Sequence, residues 1–177
     1  MIVDVMLFLA ILALAVILRL TVVEIARVKG SSMQPTLRTS QWLLVSRLDY
    51  RLGSPRRGDV VICHYPGRYM DRWKLIRQSF VKRMIGLPGE TIEIIGGVVH
   101  IDGEPLQEPY LDPARCRFRR QMPARTLGEN EYFVLGDNRD SSNDSRRVGP
   151  LPRSMLVGRV RRVIFPIGCH PRLDTRA

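Results

Sequence analysis

The stretch TIEIIGGVVHI, residues 91–101, decides the fold class of this chain. It contains two short runs rich in Ile and Val, the residue types that favour β-strands. The pair Gly96-Gly97 between the runs suits the tight primed turns of β-hairpins. The stretch therefore predicts a hairpin with strands at Thr91–Ile95 and Val98–Ile101.

The same pattern continues on both sides of the hairpin. Short apolar runs are separated by Gly, Pro and Asp, which interrupt strands. The other predicted strands are Thr21–Val28, Gln41–Ser46, Val60–His64, Ser79–Ile85, Glu131–Leu135 and Gly158–Phe165. Residues 104–130 are rich in Pro and Arg and are interpreted as mostly loop. The sequence predicts a mainly β domain over residues 21–177, a partly closed barrel or sheet, with a small accessory or loop region at 102–130.

Residues 1–20, MIVDVMLFLAILALAVILRL, have a different, helical character. As a helix the apolar run Val5–Leu18 reaches about 21 Å, so only the whole segment spans a hydrocarbon core of roughly 30 Å. A buried core helix and a cleavable signal peptide are the alternatives. A signal peptide usually has a positive start and a small-residue cleavage site, and this segment shows neither. We therefore predict an uncleaved transmembrane anchor at residues 1–20.

Composition narrows the classes of partner. The formal net charge is +11, but the arginines are spread along the chain and aromatic residues make up only 7%. A stacking platform for nucleic acid is therefore not indicated, whereas an anionic membrane surface is compatible with this charge. The histidines and cysteines lack metal-ligand spacing, so we predict no metal site. One disulfide is possible among Cys63, Cys116 and Cys169, and the sequence does not choose the pair.

The stretch GSSMQPTL, residues 30–37, places two adjacent hydroxyl groups between a glycine and a proline. Gly30 permits a positive φ or a close backbone approach, and Pro35 restricts the chain on the other side. A serine on such a stiff loop is a candidate nucleophile. Helix caps and turns use serine in the same way, so this stretch alone leaves both interpretations open.

A lysine with apolar neighbours lies in the predicted strand Ser79–Ile85. Alternate side chains of a strand share a face, so Phe80, Lys82 and Met84 point the same way. Burial between two large apolar side chains would lower the lysine pKa and make the amine a usable base. Arginine stays protonated, so among the lysines and arginines only a lysine can act as a general base. The alternative is an edge lysine whose charged head reaches water.

Residues 136–149, GDNRDSSNDSRRVG, are dense in hydrogen-bonding side chains and follow an apolar strand. A surface loop often has this composition. Acids, amides and arginines in alternation can also build a self-satisfied polar network that holds a hydroxyl rigidly against a catalytic amine.

Together the three stretches resemble the type I signal peptidases, the membrane-anchored serine–lysine proteases of bacteria and organelles. The resemblance covers about residues 5–165. The matching pieces follow the family's order and spacing after a family-like anchor: Gly30–Leu37, Arg57–Val61, Lys82–Glu90 and Gly136–Arg146.

The resemblance implies a role for each matching side chain. Ser32 would be the nucleophile, and its backbone N–H would donate to the oxyanion. Lys82 would be the general base, in the place that histidine holds in other serine proteases. Ser142 would hydrogen-bond and aim the lysine amine, while Asp144 and Arg146 would pair and fix that loop.

The resemblance also implies the substrate, an exported preprotein whose signal peptide is cut in an extended conformation. Small side chains before the cut would fill shallow apolar pockets, for which the candidate wall residues are Val28, Met33, Leu37 and Val81. Some members carry a serine at the position of Gly30, whose hydroxyl is a second oxyanion donor. Here a backbone N–H or water would have to replace it. The implied chemistry needs no metal or organic cofactor.

Two indications conflict about the side of the membrane on which the β domain lies. Arg19, Arg27 and Lys29 come after the apolar segment, and by the positive-inside rule they favour a cytoplasmic β domain. The resemblance implies the extracytoplasmic side of the plasma membrane. We follow the resemblance, because the charge count depends on a very short N-terminal flank.

Two other functions fit parts of the sequence. A self-cleaving repressor of related fold would require a DNA-binding helical domain and an internal Ala-Gly site, which the sequence does not show. A membrane-tethered basic binding module without catalysis would leave Lys82 with an ordinary pKa and Ser32 inert.

Overall fold

Two β-sheets form the body of the molecule, and one long helix precedes them. The computed structural model describes residues 2–70, 72–73, 77–117 and 121–166. The helices are α1 (Ile2–Thr21), α2 (Leu48–Leu52) and α3 (Ser145–Val148). The strands are β1 (Val23–Arg27), β2 (Trp42–Ser46), β3 (Val60–Tyr69), β4 (Arg77–Gly86), β5 (Thr91–Ile95), β6 (Val98–Ile101), β7 (Glu104–Pro105), β8 (Met122–Thr126), β9 (Glu131–Leu135), β10 (Leu151–Pro152) and β11 (Leu156–Phe165).

The larger sheet has seven strands in the order β1-β2-β11-β3-β4-β9-β10, and the smaller has four in the order β7-β6-β5-β8. All neighbouring strands are antiparallel. The prediction of a mainly β domain is confirmed. The sheets are open, with β1 and β10 at the edges of the larger one, so the described chain does not form a closed barrel.

The hairpin at residues 91–101 forms as its sequence predicts. Strands β5 and β6 pair with Ile95 opposite Val98, and both glycines of the turn have positive φ. The segment 104–130, which the sequence predicts as mostly loop, also contains β7 and β8. Strand β8 lies at the edge of the small sheet and is largely exposed, so its residues lack the apolar pattern that identifies a buried strand.

Strands β4 and β9 lie between two apolar cores because their side chains alternate. Met84 and Val134 face a core shared with β3, whereas Ile85 and Leu135 face the core of the small sheet. A third core lies under the β1–β2 connection, where Met33 and Leu37 are buried. The β1–β2 connection is therefore fixed to the large sheet by its own apolar side chains.

The N-terminal segment forms helix α1, whose large apolar side chains between Val3 and Val16 are 47–78% exposed. Among the described residues, no helix combines the length and the apolar character required to cross a membrane. The transmembrane span predicted at residues 1–20 is therefore not supported by the fold.

The cysteines that the structure describes are both free. Cys63 is buried in β3 and Cys116 is half-buried after β7. The third candidate for a disulfide, Cys169, lies outside the described residues.

Candidate active site

The loop that carries Ser32 is a series of tight turns anchored by apolar side chains. Gly30 has a φ of +86°, the left-handed conformation that glycine adopts without strain. The Leu37 N–H donates to the Met33 carbonyl over 2.8 Å, and both side chains are buried. Ser32 is therefore held between a glycine turn and a fixed apolar turn, which limits the positions its hydroxyl can take.

Strand β4 brings Lys82 to this serine across 50 residues of sequence. The side chain of Lys82 is only 3% exposed. Its Nζ donates to Ser32 Oγ over 2.8 Å and to the Val81 carbonyl over 2.8 Å. The structure thus joins the predicted nucleophile and the predicted base directly.

Burial lowers the pKa of Lys82 from its ordinary value of 10.5, because the charged ammonium is poorly solvated. The carboxylates of Asp144 and Asp137 act in the opposite direction without cancelling the effect. The neighbouring Cys63 thiol stays neutral at physiological pH, since burial raises its pKa to about 12. The environment of Lys82 therefore favours a neutral amine, as the apolar neighbours in its strand predict.

The loop after β9 also contacts the loop that carries Ser32, which we call the serine loop (residues 30–37). The Asn138 N–H donates to the Ser32 carbonyl over 3.0 Å, and its side-chain amide donates to the Ser31 carbonyl over 3.2 Å. At Gly136 an added Cβ would lie 2.2 Å from Ser142 Oγ and 2.5 Å from the Ser32 carbonyl oxygen. Only glycine permits this close approach between the two loops.

Asp144 and Arg146 form a two-point ion pair at the end of this loop, with distances of 2.8 and 2.7 Å. Asp144 also accepts from the Gly136 N–H over 3.0 Å. Burial opposes ionisation of Asp144, but the hydrogen bonds and charge of Arg146 outweigh it, so the pKa of this carboxyl is lowered. Asp144 is thus a fixed anion that ties Gly136 to helix α3.

Ser142 is the remaining side chain of the predicted set. Its Oγ is buried, packs where a Cβ of Gly136 would lie, and is close to the Asp144 carboxylate. Within the described part of the chain this oxygen makes no hydrogen bond of good geometry. A buried polar atom without a partner is uncommon, so Ser142 has a hydrogen bond available for a group in the site.

Sequence reasoning did not identify the ion pair under the site. Arg83 is completely buried, and its guanidinium donates to both Asp137 oxygens over 2.9 and 2.7 Å. Thr36, in the serine loop, donates to the same carboxylate, and the ring of Tyr110 lies 3.9 Å from Arg83 Cζ. The only local signal was an arginine inside an apolar strand, which is more often exposed than buried.

A cleft of about 350 Å³ extends from the Ser32–Lys82 pair, between β1 and the first half of β4. Val28, Met33 and Val81 are among its lining residues. Leu37, the fourth candidate wall residue, is not: it is fully buried in the core below the loop.

The cleft separates two strand edges. Strand β1 is an edge strand of the large sheet, and β9 pairs only with the part of β4 that begins at Arg83. No other strand of the described residues pairs with these edges. The cleft therefore offers room and backbone hydrogen-bonding groups for one extended segment.

Comparison with known proteins agrees with this arrangement. Residues 2–165 match the family described as "Signal peptidase, peptidase S26". The chain is 38% identical over 156 residues to the probable signal peptidase I-1 of Synechocystis sp., covering 88% of this chain and 78% of that protein. It is 36% identical over 156 residues to the signal peptidase I of Leptolyngbya laminosa, covering 87% and 74% respectively.

A solved structure is also similar. The crystal structure of a signal peptidase I from Enterococcus faecalis superposes with a TM-score of 0.50 and 31% sequence identity, covering 61% of this chain and 97% of that chain. The sequence match, the shared fold and the cleft with its serine and lysine lead to one conclusion: the chain belongs to the signal peptidase family, peptidase S26.

Proposed function

We propose that this chain is a serine endopeptidase that removes N-terminal signal peptides from exported preproteins, with Ser32 as nucleophile and Lys82 as general base. The observation that carries the proposal is the 2.8 Å contact between Ser32 Oγ and a buried Lys82 Nζ at one end of an open cleft. The family match and the names of the relatives support the same activity.

Acylation begins with neutral Lys82. Its amine accepts the Ser32 hydroxyl proton while Oγ attacks the carbonyl carbon of the bond to be cut. The Ser32 N–H, which makes no hydrogen bond to another described residue, donates to the oxyanion that forms. The Lys82 ammonium then gives its proton to the leaving amine, the C–N bond breaks, and the signal peptide remains as an ester on Ser32.

Hydrolysis of the ester repeats the two proton transfers of Lys82, with water as the nucleophile and Ser32 as the leaving group. Lys82, neutral again, takes a proton from a water molecule as the water attacks the ester carbonyl. The ammonium returns this proton to Ser32 Oγ as the ester bond breaks, which releases the signal peptide with a free carboxyl end. Every proton that moves is held by Ser32, Lys82, water or product, so the cycle needs no metal ion or organic cofactor.

The loop after β9 would position the base. We assign Ser142 to accept a hydrogen bond from the Lys82 amine, since its buried oxygen accepts no hydrogen bond from the described residues, while its hydroxyl proton can go to the nearby Asp144 carboxylate. The Val81 carbonyl accepts another Lys82 N–H, so the amine lone pair would point at Ser32. Asp144 and Arg146 fix the position of this loop through their ion pair.

The substrate would lie in the cleft as an added strand between β1 and β4. Val28, Met33 and Val81 would form the apolar walls that receive small side chains before the cut. The walls are close to Ser32 and Lys82 along the sequence, which suits pockets for the residues next to the reacting bond.

The location is also part of the proposal. Residues 1–20 would anchor the chain in the plasma membrane, and residues 21–177, with a small accessory region at 102–130, would form the catalytic domain on the extracytoplasmic side. The exposed apolar side chains of α1 support a lipid environment. Anchoring raises the effective concentration of the enzyme near signal sequences held in the bilayer.

The test is cleavage of a preprotein with an Ala-x-Ala site, in detergent, by the wild type and by Ser32→Ala, Lys82→Ala and the double variant. We expect the wild type to cut after the second alanine and each single variant to be inactive. The double variant should be hardly worse than either single one, because nucleophile and base act as a unit.

Two controls sharpen the test. Ser31→Ala removes the adjacent hydroxyl and should remain active, whereas Lys82→Arg keeps the positive charge but cannot supply a neutral base and should be inactive. Substantial activity of Lys82→Ala would refute the base, and a wild type that cuts nothing would refute the proposed activity.

A further inference from the structure

Two basic side chains line the cleft beside the edge strand β1 and have no part in the proposed catalysis. Arg27 is the last residue of β1, Lys29 follows two residues later, and both are exposed. Apart from Lys82 and Glu24, no other described residue of the lining has an acidic or basic side chain. Glu24 already pairs with Arg47 over 2.6 Å. The cleft therefore has a positive charge that its own acid does not compensate.

The alternation of side chains puts these two cations on one face of the cleft. Val28, which lies between them in the sequence, is buried in the third core, and Val81 of β4 packs against the same core. Successive side chains of an extended segment point to opposite faces, so Arg27 and Lys29 point away from that core. The cleft thus has an apolar inner side and a basic outer side.

The backbone shows that an added strand would run directly beside these two residues. The Val28 N–H donates to the Gln41 carbonyl over 2.8 Å, and the Val28 carbonyl accepts from the Ser40 N–H over 2.9 Å. Both backbone groups of Val28 are therefore directed toward the β2 side. In an antiparallel pair these directions alternate, so the backbone groups of Arg27 and Lys29 are directed toward the cleft. A bound segment would pair with them.

In the proposed reaction, the small side chains at the first and third positions before the cut occupy the apolar inner side. The side chain at the second position then points to the outer side, where Arg27 and Lys29 lie. We propose that these two residues select substrates that carry a carboxylate side chain, Asp or Glu, at the second position before the cut. The inference rests on the proposed peptidase activity and adds a charge preference that apolar walls cannot supply.

The two cations suit a carboxylate in different ways. Arg27 is held in place, because its Nη2 donates to Ser40 Oγ over 3.2 Å and its guanidinium carbon lies 5.9 Å from the ring centre of Trp42. Its other N–H groups stay available to an acceptor. Lys29 makes no ion pair with another described residue and lies three positions before Ser32. The substrate would therefore supply the counterion that the cleft does not.

The test compares three preproteins that differ only at the second position before the cut, with the sites Ala-Glu-Ala, Ala-Gln-Ala and Ala-Lys-Ala. Cleavage is measured in detergent at low salt. We expect kcat/KM to fall in that order, by roughly three- to fivefold at each step, as for an exposed ion pair. The differences should disappear in 1 M NaCl, where the screening length is about 3 Å. Equal kcat/KM values at low salt, or differences that persist in 1 M NaCl, would overturn the proposal.

Variants assign the preference to the two residues. Lys29→Glu should reverse it, so that the lysine substrate is cut faster than the glutamate substrate, which loss of a merely structural side chain would not do. Arg27→Gln should reduce the differences among the three substrates. Arg51→Gln removes an exposed arginine outside the cleft and is the matched control, with the order of the wild type. An unchanged order in Lys29→Glu, or an equal change in Arg51→Gln, would refute the assignment.

A binding measurement separates this outcome from that of the proposed function. Fluorescence anisotropy of labelled peptides with the three sites, titrated with Ser32→Ala, gives a Kd for each peptide without turnover. The three Kd values should rise in the order Glu, Gln, Lys. If the wild type cuts none of the substrates, the peptidase proposal fails while the Kd values still test the charge preference. If all three are cut and bound equally, the peptidase proposal stands and the preference is refuted.

Discussion

At the scale of single residues, the protonation of Lys82 controls the proposed reaction. Burial lowers its pKa from 10.5, so the neutral fraction of the folded protein rises with pH through that lowered value. We expect peptide cleavage to increase with pH over this range and then level off below the ordinary lysine pKa. Lys82→Arg should be inactive at every pH. Activity of the wild type that is flat across this range would contradict the assignment.

The same shift predicts the direction of a stability change. The unfolded chain keeps the Lys82 proton up to about its ordinary pKa, whereas the folded chain releases it at lower pH. Between these values the unfolded state binds more protons, so the free energy of unfolding rises with pH. Urea denaturation of Ser32→Ala should show this slope, and adding Lys82→Met should reduce it.

Gly136 makes the clearest steric prediction at the residue scale. A Cβ there would overlap both Ser142 Oγ and the Ser32 carbonyl, so Gly136→Ala must displace one of the two loops. A misplacement of about 1 Å can cost about 100-fold in rate, and we expect a loss of that order in kcat. Gly128→Ala is the matched control, since its Cβ would meet Glu131 at an ordinary 3.6 Å. Equal activity of the two variants would refute the close-approach argument.

At the scale of elements, the Arg83–Asp137 pair joins three pieces of chain: strand β4, the serine loop through Thr36, and the loop after β9. Removing one partner leaves a charge without its counterion inside the protein, which costs about 3–5 kcal/mol. We expect Arg83→Met to lower the free energy of unfolding by this amount in urea denaturation.

The control for that variant is Arg125→Gln, which breaks the exposed pair with Glu131 and should cost less than about 1 kcal/mol. The double variant Arg83→Met with Asp137→Leu should recover part of the loss, because no unpaired charge remains. A cost for Arg83→Met as small as that of Arg125→Gln would mean that the pair does not hold the elements together.

At the scale of the whole molecule, one segment connects the small sheet to the site. Glu108 follows β7 and pairs with buried Arg139, whose Nε donates to the Gly136 carbonyl over 3.2 Å. Tyr110, two residues on, donates to Glu108 and lies against Arg83. The small sheet thus supports the loop that packs on Ser32, although it contributes no residue to the cleft.

This connection predicts that Glu108→Gln lowers kcat without a comparable change in KM, because it loosens the position of the loop after β9 and not the walls of the cleft. The exposed Glu104→Gln in β7 is the matched control and should leave both constants unchanged. Steady-state kinetics with a signal-peptide substrate give both values. A rise in KM with unchanged kcat would place the effect of Glu108 on substrate binding instead.

How far the sequence could predict this molecule depends on the range of each interaction. The hairpin at 91–101 and most strands could be predicted, because alternation and glycine turns are local signals. The contact between Ser32 and Lys82 joins residues 50 positions apart, and only the resemblance to a family related them. The burial of Arg83 could not be predicted, because its counterion comes from a distant loop. The burial of Leu37 in the third core likewise depends on strands that are distant in sequence, so its position in the core and not in a cleft wall could not be predicted.

The two unpaired strand edges have a further consequence, for solubility. An open edge is a template on which another chain can add a strand, and proteins usually blunt it with charge or cover it. Here the two edges face each other across a single narrow cleft, whose lining includes the charged residues Glu24, Arg27 and Lys29. A folded sheet from a second molecule carries side chains on both faces and cannot enter a space of about 350 Å³, whereas one extended segment can. The molecule therefore keeps its edges available to a flexible peptide while protecting itself from the edge-to-edge aggregation that they would otherwise invite.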